Sequence, residues 1–361
     1  MIKAKPSEYI QKYGGKAGGY FYLKDYGGFN LHLLPALFLS PDDADSPLDR
    51  DFLKSFSQFI VRASHPNDYE GLVDVLKTEI VNDPSRLEEV CRDIRQSAND
   101  SLVFSYSEYE GQPYDGKIRL MIHPYNGPSR GSMVEHPHKK GTYLIDFIEP
   151  NDHHTYTFIE RVIVEGKEIK NEWADFTEAK SIDTIEEVLA LYKKVRATDF
   201  ISPDFSFQME FGINQLSLGK ASTLFYQARP FKRFEESPFE MPPPSEYFCF
   251  GTTPKEGIIL PVVKTSPGEL KAAHEMTEPF AWIPINITSQ APLAFRPKNM
   301  RAFLPVGMRV NTLEHNTYRW IRKADVSVVC PLIEYALIAL QTGDRINIKS
   351  NGLNFEVNKT S

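Results

Sequence analysis

A helix followed by two strands is the feature of this sequence that most constrains the fold. Residues Ile182 to Arg196 place apolar side chains at the spacing of one helix face. Residues Phe205 to Ile213 then alternate between apolar and polar side chains, as a strand with one buried face does. Leu224 to Ala228 is the strand predicted to pair with it. With the other helices and strands that the sequence indicates, this unit predicts an α/β (α+β) fold.

The predicted pair of strands carries polar residues that suit a metal ion and a phosphate. Alternate residues of antiparallel strands face one side of a sheet, so Glu210, Gln227 and Arg229 are predicted to meet at one spot. Carboxylate and amide oxygens suit Mg²⁺, and a guanidinium suits a triphosphate. The alternative is a half-exposed hairpin with ordinary polar residues.

Length and composition restrict the class of protein. At 361 residues, with 41% hydrophobic and 25% charged residues, the chain is predicted to be soluble and to form two or three domains. The net charge of −7 argues against a nucleic-acid partner. The sequence shows no apolar signal region, no apolar run long enough to span a membrane, and only three, widely separated cysteines. These features predict a cytoplasmic protein without a membrane partner.

Two motifs in the first part of the chain suit phosphate binding. Residues 14–19 read GGKAGG, in which glycines let the backbone approach a polyanion and Lys16 can reach a phosphate. Residues 61–65 read VRASH, and Arg62 at a strand end is a plausible phosphate clamp. The alternatives are a glycine-rich turn before a helix and a surface arginine after a strand.

The segment from Thr312 to Cys330 contains a candidate nucleophile. A polar run leads to His315, residues 316–323 indicate a short helix, and a buried strand then runs to Pro331. A helix N-terminus disfavours the imidazolium and stabilises an attached phosphoryl group, so His315 suits nucleophilic catalysis. The alternative is a surface or helix-capping histidine.

The remaining segments predict further helices and strands. Tyr69 to Ala98 is predicted to form two helices around Asn82 to Ser85. The predicted strands are Ser101 to Ser107, Lys117 to His123, Gly131 to Glu135, Ile258 to Val263 and Trp282 to Ile287. His136, His138, His153 and His154 lack a helical ligand spacing, so they are predicted to be loop histidines and not a transition-metal site.

In this order the motifs resemble those of the phosphoenolpyruvate-utilising family, which includes pyruvate phosphate dikinase, phosphoenolpyruvate synthase and rifampin phosphotransferase. GGKAGG resembles the opening of that family's ATP-grasp domain, VRAS its Val-Arg-Ser-Ser motif, and FYQARP its Leu-Gln-Ala-Arg-Pro hairpin. The strand around Met121 resembles a hinge strand whose backbone pairs with an adenine edge. The segment around His315 resembles the swivelling phosphohistidine domain.

The resemblance implies an ATP-grasp-like domain over residues 1–234, a Pro-rich linker over 235–245 and a swivelling β/β/α phosphohistidine domain over 246–361. It implies ATP and Mg²⁺ as ligands, with Glu210 and Gln227 on the metal. The nucleotide-binding residues that it implies are Lys16, Arg62, Met121, Gln227 and Arg229.

The function implied by the resemblance is that of a dikinase-like phosphotransferase. His315 would take the β-phosphoryl group and pass it to a small-molecule or protein acceptor, so that ATP ends as AMP and phosphate. A phosphoenolpyruvate barrel would need a long further run of βα units, so pyruvate bound in cis is not the expected acceptor.

Two alternatives stay open at this point. One is an ATP-grasp ligase or direct kinase that does not use His315. The other is a degenerate, non-catalytic nucleotide-binding protein, which Glu314 and Val326 favour because they depart from the family's pattern.

Overall fold

The computed structural model describes most of the chain, and the described residues form three β-sheets with flanking helices. They are residues 5–43, 48–69, 76–100, 103–104, 107, 113–125, 130–135, 141–150, 156–174, 181–216, 219–232, 247–250, 253–266, 269–285, 297–304, 327–331, 339–350 and 355–360. No helix among them is both long enough and apolar enough to cross a membrane.

The first sheet is antiparallel and has four strands. They are β1 (Leu37–Leu39), β2 (Phe59–Ser64), β3 (Thr78–Val81) and β4 (Arg119–Pro124), in the order β1-β4-β2-β3. The helices of this part are α1 (Pro6–Tyr13), α2 (Gly15–Tyr26), α3 (Arg50–Lys54) and α4 (Leu87–Ser97), with short 3₁₀ helices at Pro41–Asp43, Pro66–Tyr69 and Pro84–Arg86. Phe59, Val61 and Ala63 of β2 share a core with the apolar face of α4, so the alternate residues of β2 face away from that core.

The second sheet has six antiparallel strands. They are β5 (Arg130–Glu135), β6 (Thr142–Pro150), β7 (Tyr156–Glu165), β8 (Glu168–Ala174), β9 (Phe205–Ile213) and β10 (Thr223–Lys232), in the order β10-β9-β5-β6-β7-β8. Helix α5 (Ile182–Arg196) precedes β9, and the Ser181 hydroxyl caps it by accepting the N–H of Thr184 at 3.2 Å. The bounds predicted for α5 and β9 are confirmed.

The two faces of this second sheet differ in chemistry. Phe207, Met209 and Phe211 of β9 lie in a core that also contains residues of α2 and α5. Gln208 and Glu210 alternate with them and therefore lie on the opposite face. One face thus packs on helices, and the other is left for polar groups.

The third sheet is mixed and has seven strands. They are β11 (Tyr247–Phe250), β12 (Ile258–Thr265), β13 (Phe280–Pro284), β14 (Met300–Phe303), β15 (Ser327–Pro331), β16 (Arg345–Ser350) and β17 (Phe355–Lys359), in the order β11-β15-β14-β13-β12-β16-β17. Strands β12 to β15 are parallel to one another, and a short helix α6 (Leu270–His274) precedes β13. The strand predicted to end at Pro331 is present as β15. The division into two domains with a linker stays a prediction, because residues 233–246 lie outside the described residues.

Two predicted elements are wrong. Thr78–Val81 was expected in a helix, but it is strand β3, because its β-branched residues pair with β2. Ser101 to Ser107 was expected to be a strand, but its described residues, 103–104 and 107, are helical. The N–H of Val103 donates to the Asp100 carbonyl at 3.0 Å, which closes a turn where an extended strand was predicted.

Candidate functional site

The glycine motif at the start of α2 is tied to the end of β2. The N–H of Gly15 donates to the His65 carbonyl at 2.8 Å, and the N–H groups of Lys16 and Ala17 donate to Ser64 Oγ at 3.1 and 3.2 Å. The first N–H groups of a helix lack partners within the helix. Here two acceptors at the end of β2, the Ser64 hydroxyl and the carbonyl of the next residue, His65, bind three of those N–H groups. These amides therefore hold α2 against the sheet, whereas the sequence suggested that the backbone approaches a polyanion.

Gly14 makes this attachment possible. It has a φ of 86°, and a Cβ built on it would overlap Ser64 Oγ and lie 2.8 Å from the His65 backbone nitrogen. Any side chain would therefore push α2 away from β2. The result is that Lys16, at 6% exposure, is fixed beside the strand that carries Arg62.

Arg62 connects the first sheet to the second. Its Nη2 lies 3.4 Å from Glu210 Oε2, and the two side chains are 11% and 9% exposed. Its guanidinium carbon is 5.9 Å from the centre of the Tyr226 ring. The Nε of Arg62 is buried and has no hydrogen-bond partner among the described residues. Arg62 thus has donor capacity left beyond its contact with Glu210.

A row of buried polar residues crosses the second sheet at Glu210. In the strand register Glu210 lies opposite Gln227 on one side and Ser132 on the other, and Ser132 lies opposite Asp146. All four are at most 7% exposed. Paired residues of antiparallel strands face the same side, so this row lies on the polar face.

Gln227 is buried at 1% exposure, yet neither its Nε2 nor its Oε1 has a hydrogen-bond partner among the described residues. A buried amide without partners costs free energy, and native proteins leave few of them. Such a group beside an arginine and a carboxylate indicates a place where a ligand supplies the missing partners.

Three further residues that the sequence reasoning did not select belong to this cluster. Tyr226 is the extra residue of a β-bulge between Phe225 and Gln227, and a Cβ on Gly212 would overlap its ring. The ring of His123, from β4, stacks on Tyr226 with centroids 5.8 Å apart. Arg130 opens β5 and pairs in register with Gly212.

The charges in the cluster are interdependent. Burial, together with the positive charge of Arg62, lowers the pKa of His123 to about 3, so its ring is neutral at neutral pH. Its Nδ1 donates to the Pro124 carbonyl at 3.1 Å. Burial also lowers the pKa of Arg130; Glu210 opposes that shift and Arg62 adds to it. Alternation along β4 places His123 on the face of Met121, which is the signal that would have found it.

The structure changes the role expected of Met121. Its strand β4 is an inner strand, paired with β1 through Phe38 and with β2 through Arg62 at the same position. Its backbone therefore has no open edge for an adenine, which corrects the expectation of a hinge strand. Its buried side chain, on the face of Arg62, belongs to the core that also contains residues of α2 and β9.

The side chains of two predicted site residues lie outside the described part of the structure. Arg229 lies on β10 opposite Gln208, on the face of Gln227, but its side chain is outside the described residues. His315 lies within residues 305–326, which are also outside them. The loop histidines His136, His138, His153 and His154 are outside them as well.

No protein-family model and no curated protein matches the sequence. Solved structures that overlap with it include the D-alanine–D-alanine ligase of Bacillus anthracis, at 12% identity and a TM-score of 0.33, covering 62% of this chain and 57% of that chain. The biotin carboxylase of Campylobacter jejuni in complex with β-γ-ATP matches at 12% identity and a TM-score of 0.37, and the match covers 63% of this chain and 42% of that chain. The ATP-grasp ligase PsnB matches at 12% identity and a TM-score of 0.30, and the match covers 62% of this chain and 52% of that chain.

The chain thus spans about half the length of these structures. Because these identities and TM-scores are low, the function of the site has to be inferred from the site's own residues. The likeness to the phosphoenolpyruvate-utilising family remains a resemblance of motifs.

Proposed function

We propose that this chain is an ATP-dependent enzyme that binds the phosphates of MgATP between β2 and the β9–β10 hairpin. The observation that carries the proposal is the buried amide of Gln227, which has no hydrogen-bond partner among the described residues and lies beside the Arg62–Glu210 pair that joins the two sheets. A phosphate supplies acceptors for guanidinium and amide donors, and a metal ion supplies a partner for an amide oxygen.

The donor set fits Mg²⁺ in part. Glu210 and Gln227 lie opposite each other on adjacent strands, and a carboxylate and an amide oxygen are both ligands of hard cations. The described residues hold no group of three or more His, Cys, Asp or Glu side chains that would form a complete cage. Mg²⁺ usually takes one or two protein carboxylates and fills its other positions with phosphate oxygens and water, and here it would neutralise phosphate charge.

The chain's own groups then have separate tasks. Arg62 is proposed to hold a phosphate through the donors that Glu210 does not occupy, and Lys16 a phosphate at the end of the site near Ser64. Gln227 orients the ligand through its amide. Neutral His123 and the ring of Tyr226 close one side and exclude water without adding charge.

Direct transfer of the terminal phosphoryl group to an acceptor, by a ligase or a kinase, is the reaction we place first. The groups proposed to bind phosphate and metal, Arg62, Glu210 and Gln227, all lie in the first two sheets. Such a transfer breaks the bond between the terminal phosphoryl group and ADP and forms one to an acceptor oxygen, so that the nucleotide product is ADP.

A second candidate is the dikinase-like route through His315. Strand β15 (Ser327–Pro331) is present where the histidine motif predicts a strand, which favours it. This route ends in AMP and phosphate, with a small molecule or a protein as acceptor.

Calorimetry tests the proposed binding. Lys16→Ala is expected to weaken MgATP binding about tenfold or more, which corresponds to about 1.4 kcal/mol. Lys24→Ala is the matched control, because Lys24 is an exposed lysine of the same helix, and it should bind as wild type. Equal affinity in both variants and in Arg62→Gln would refute the proposed site.

Product analysis by phosphorus NMR separates the two reactions. ADP with turnover intact in His315→Ala supports direct transfer. AMP and phosphate, with turnover lost in His315→Ala and an acid-labile label on wild type, supports the histidine route.

A further inference from the structure

Arg62 and Arg130 approach the same carboxylate from different sheets. Arg62 Nη2 lies 3.4 Å from Glu210 Oε2. Arg130 lies on β5 two residues from Ser132, the register partner of Glu210, and therefore on the same face of the sheet. The charges of Glu210 and Arg62 both act on its guanidinium. A guanidinium stays protonated in proteins, so two positive charges are held near each other around one negative charge. An oxyanion between them would offset their repulsion and match their planar donor groups.

Two buried donors at the same place are without acceptors. Arg62 Nε and Gln227 Nε2 have no hydrogen-bond partner among the described residues. Arg62 contacts Glu210, and Gln227 is its direct neighbour across β9 and β10. The two residues that carry these donors therefore both adjoin Glu210, and an oxyanion bound there would supply the missing acceptors.

Tyr226 and His123 limit this end of the site on the side away from Lys16. On β2, Ser64 lies beside Lys16, Arg62 is two residues away, and Ile60, paired with His123, is two residues further. The site thus has a Lys16 end and a His123 end. Since His123 is neutral, the positive charge at the second end comes from the two arginines.

We propose that Arg130, with Arg62 and the amide of Gln227, forms an oxyanion subsite at the His123 end, separate from the Lys16 end. Its ligand is a phosphate or a carboxylate group, either the terminal phosphate of the nucleotide or the acidic group of the acceptor. The inference rests on the proposed function only in assigning nucleotide phosphates to the Lys16 end. The sequence motifs gave Arg130 no role.

Binding of inorganic phosphate and of acetate tests the subsite without ATP. In thermal-shift and calorimetric titrations of the full chain, Arg130→Gln should weaken binding of at least one of the two anions about tenfold. Arg130→Lys should restore only part of it, since an ammonium lacks the bidentate fork. Lys24→Ala, at an exposed lysine of α2 outside the site, should leave binding of both anions unchanged. Circular dichroism confirms that each variant is folded.

Nucleotide titrations separate the two sources of the oxyanion. If the subsite holds the terminal phosphate, Arg130→Gln weakens MgATP about tenfold more than MgADP. If the subsite holds the acceptor's acidic group, Arg130→Gln binds both nucleotides with the affinity of wild type, but binds acetate more weakly than wild type does. A folded Arg130→Gln that binds phosphate, acetate and MgATP as wild type does would overturn the subsite. A wild type that binds phosphate through Arg130 but no MgATP would instead overturn the proposed function.

Discussion

The two ends of the site use their hydrogen-bond donors in opposite ways. At the Lys16 end, the N–H groups of Gly15, Lys16 and Ala17 all have acceptors, at Ser64 or at His65 directly after β2. At the His123 end, buried donors of Arg62 and Gln227 have no acceptors among the described residues. The first arrangement is complete without a ligand, and the second is not. The backbone of a glycine-rich motif can therefore hold a helix in place, while the proposed ligand binding depends on a hairpin with a less distinctive sequence.

The largest effect is expected from Gly14→Ala, which tests whether the Lys16 end is built by packing. The new Cβ would collide with Ser64 and His65, and the residue has a φ of 86°. Left-handed backbone and overpacking together are expected to cost about 3 kcal/mol of unfolding free energy. Chemical denaturation measures it.

Gly27→Ala is the matched control for this substitution. Gly27 ends the same helix with a φ of 90°, but nothing lies within 4 Å of a Cβ built on it, so a loss of about 1 kcal/mol is expected. Equal losses for the two glycines would mean that backbone conformation alone, and not contact with β2, fixes the Lys16 end.

A smaller effect on the unfolding free energy is expected from His123. It tests whether water is excluded from the His123 end, as the burial of this ring indicates. The folded-state pKa of about 3 lies below the ordinary 6.5, so the unfolded chain binds more protons between these values. This contribution to stability is complete above the ordinary pKa and falls as pH drops towards the folded-state pKa. Between pH of about 6 and about 4.5, wild type should lose about 2 kcal/mol more than His123→Phe.

Denaturation curves of both proteins at several pH values measure that difference. The pKa of His65 is also lowered by burial, but His65 is present in both proteins, so its contribution cancels in the difference. Parallel pH profiles would show that His123 is hydrated in the native state.

Helices and strands could be predicted where the apolar residues of a segment follow a single periodic spacing. Helix α5 and strand β9 have the predicted bounds, because their apolar residues follow a single spacing over many positions. Strand β3 was not predictable, because Leu76 and Ile80 fit a helical spacing and only the pairing with β2 decides the structure.

The site could be predicted only within one hairpin. The pairing of Glu210 with Gln227 follows from strand register, which the sequence contains. The contact of Arg62 with Glu210 depends on how two sheets face each other, and the position of Arg130 beside Glu210 depends on the pairing of β5 with β9. Neither can be deduced from a local sequence pattern. The bulge at Tyr226 is likewise a tertiary feature, since it requires the space that Gly212 leaves.

The smallest effect on stability is expected at Gln227, and its sign matters more than its size. Gln227→Met removes a buried amide without partners and keeps a similar volume, so the unfolding free energy should stay unchanged or rise by up to about 1 kcal/mol. MgATP binding should weaken about tenfold in the same variant, because the amide's proposed partner is the ligand. Gln208→Met is the matched control, since Gln208 is equally buried on the adjacent strand and only its Oε1, not both amide atoms as in Gln227, is without a hydrogen bond among the described residues. It should lose about 1 kcal/mol of stability. If both variants lose the same stability, the Gln227 amide is satisfied within the protein, and the contrast between the two ends of the site disappears.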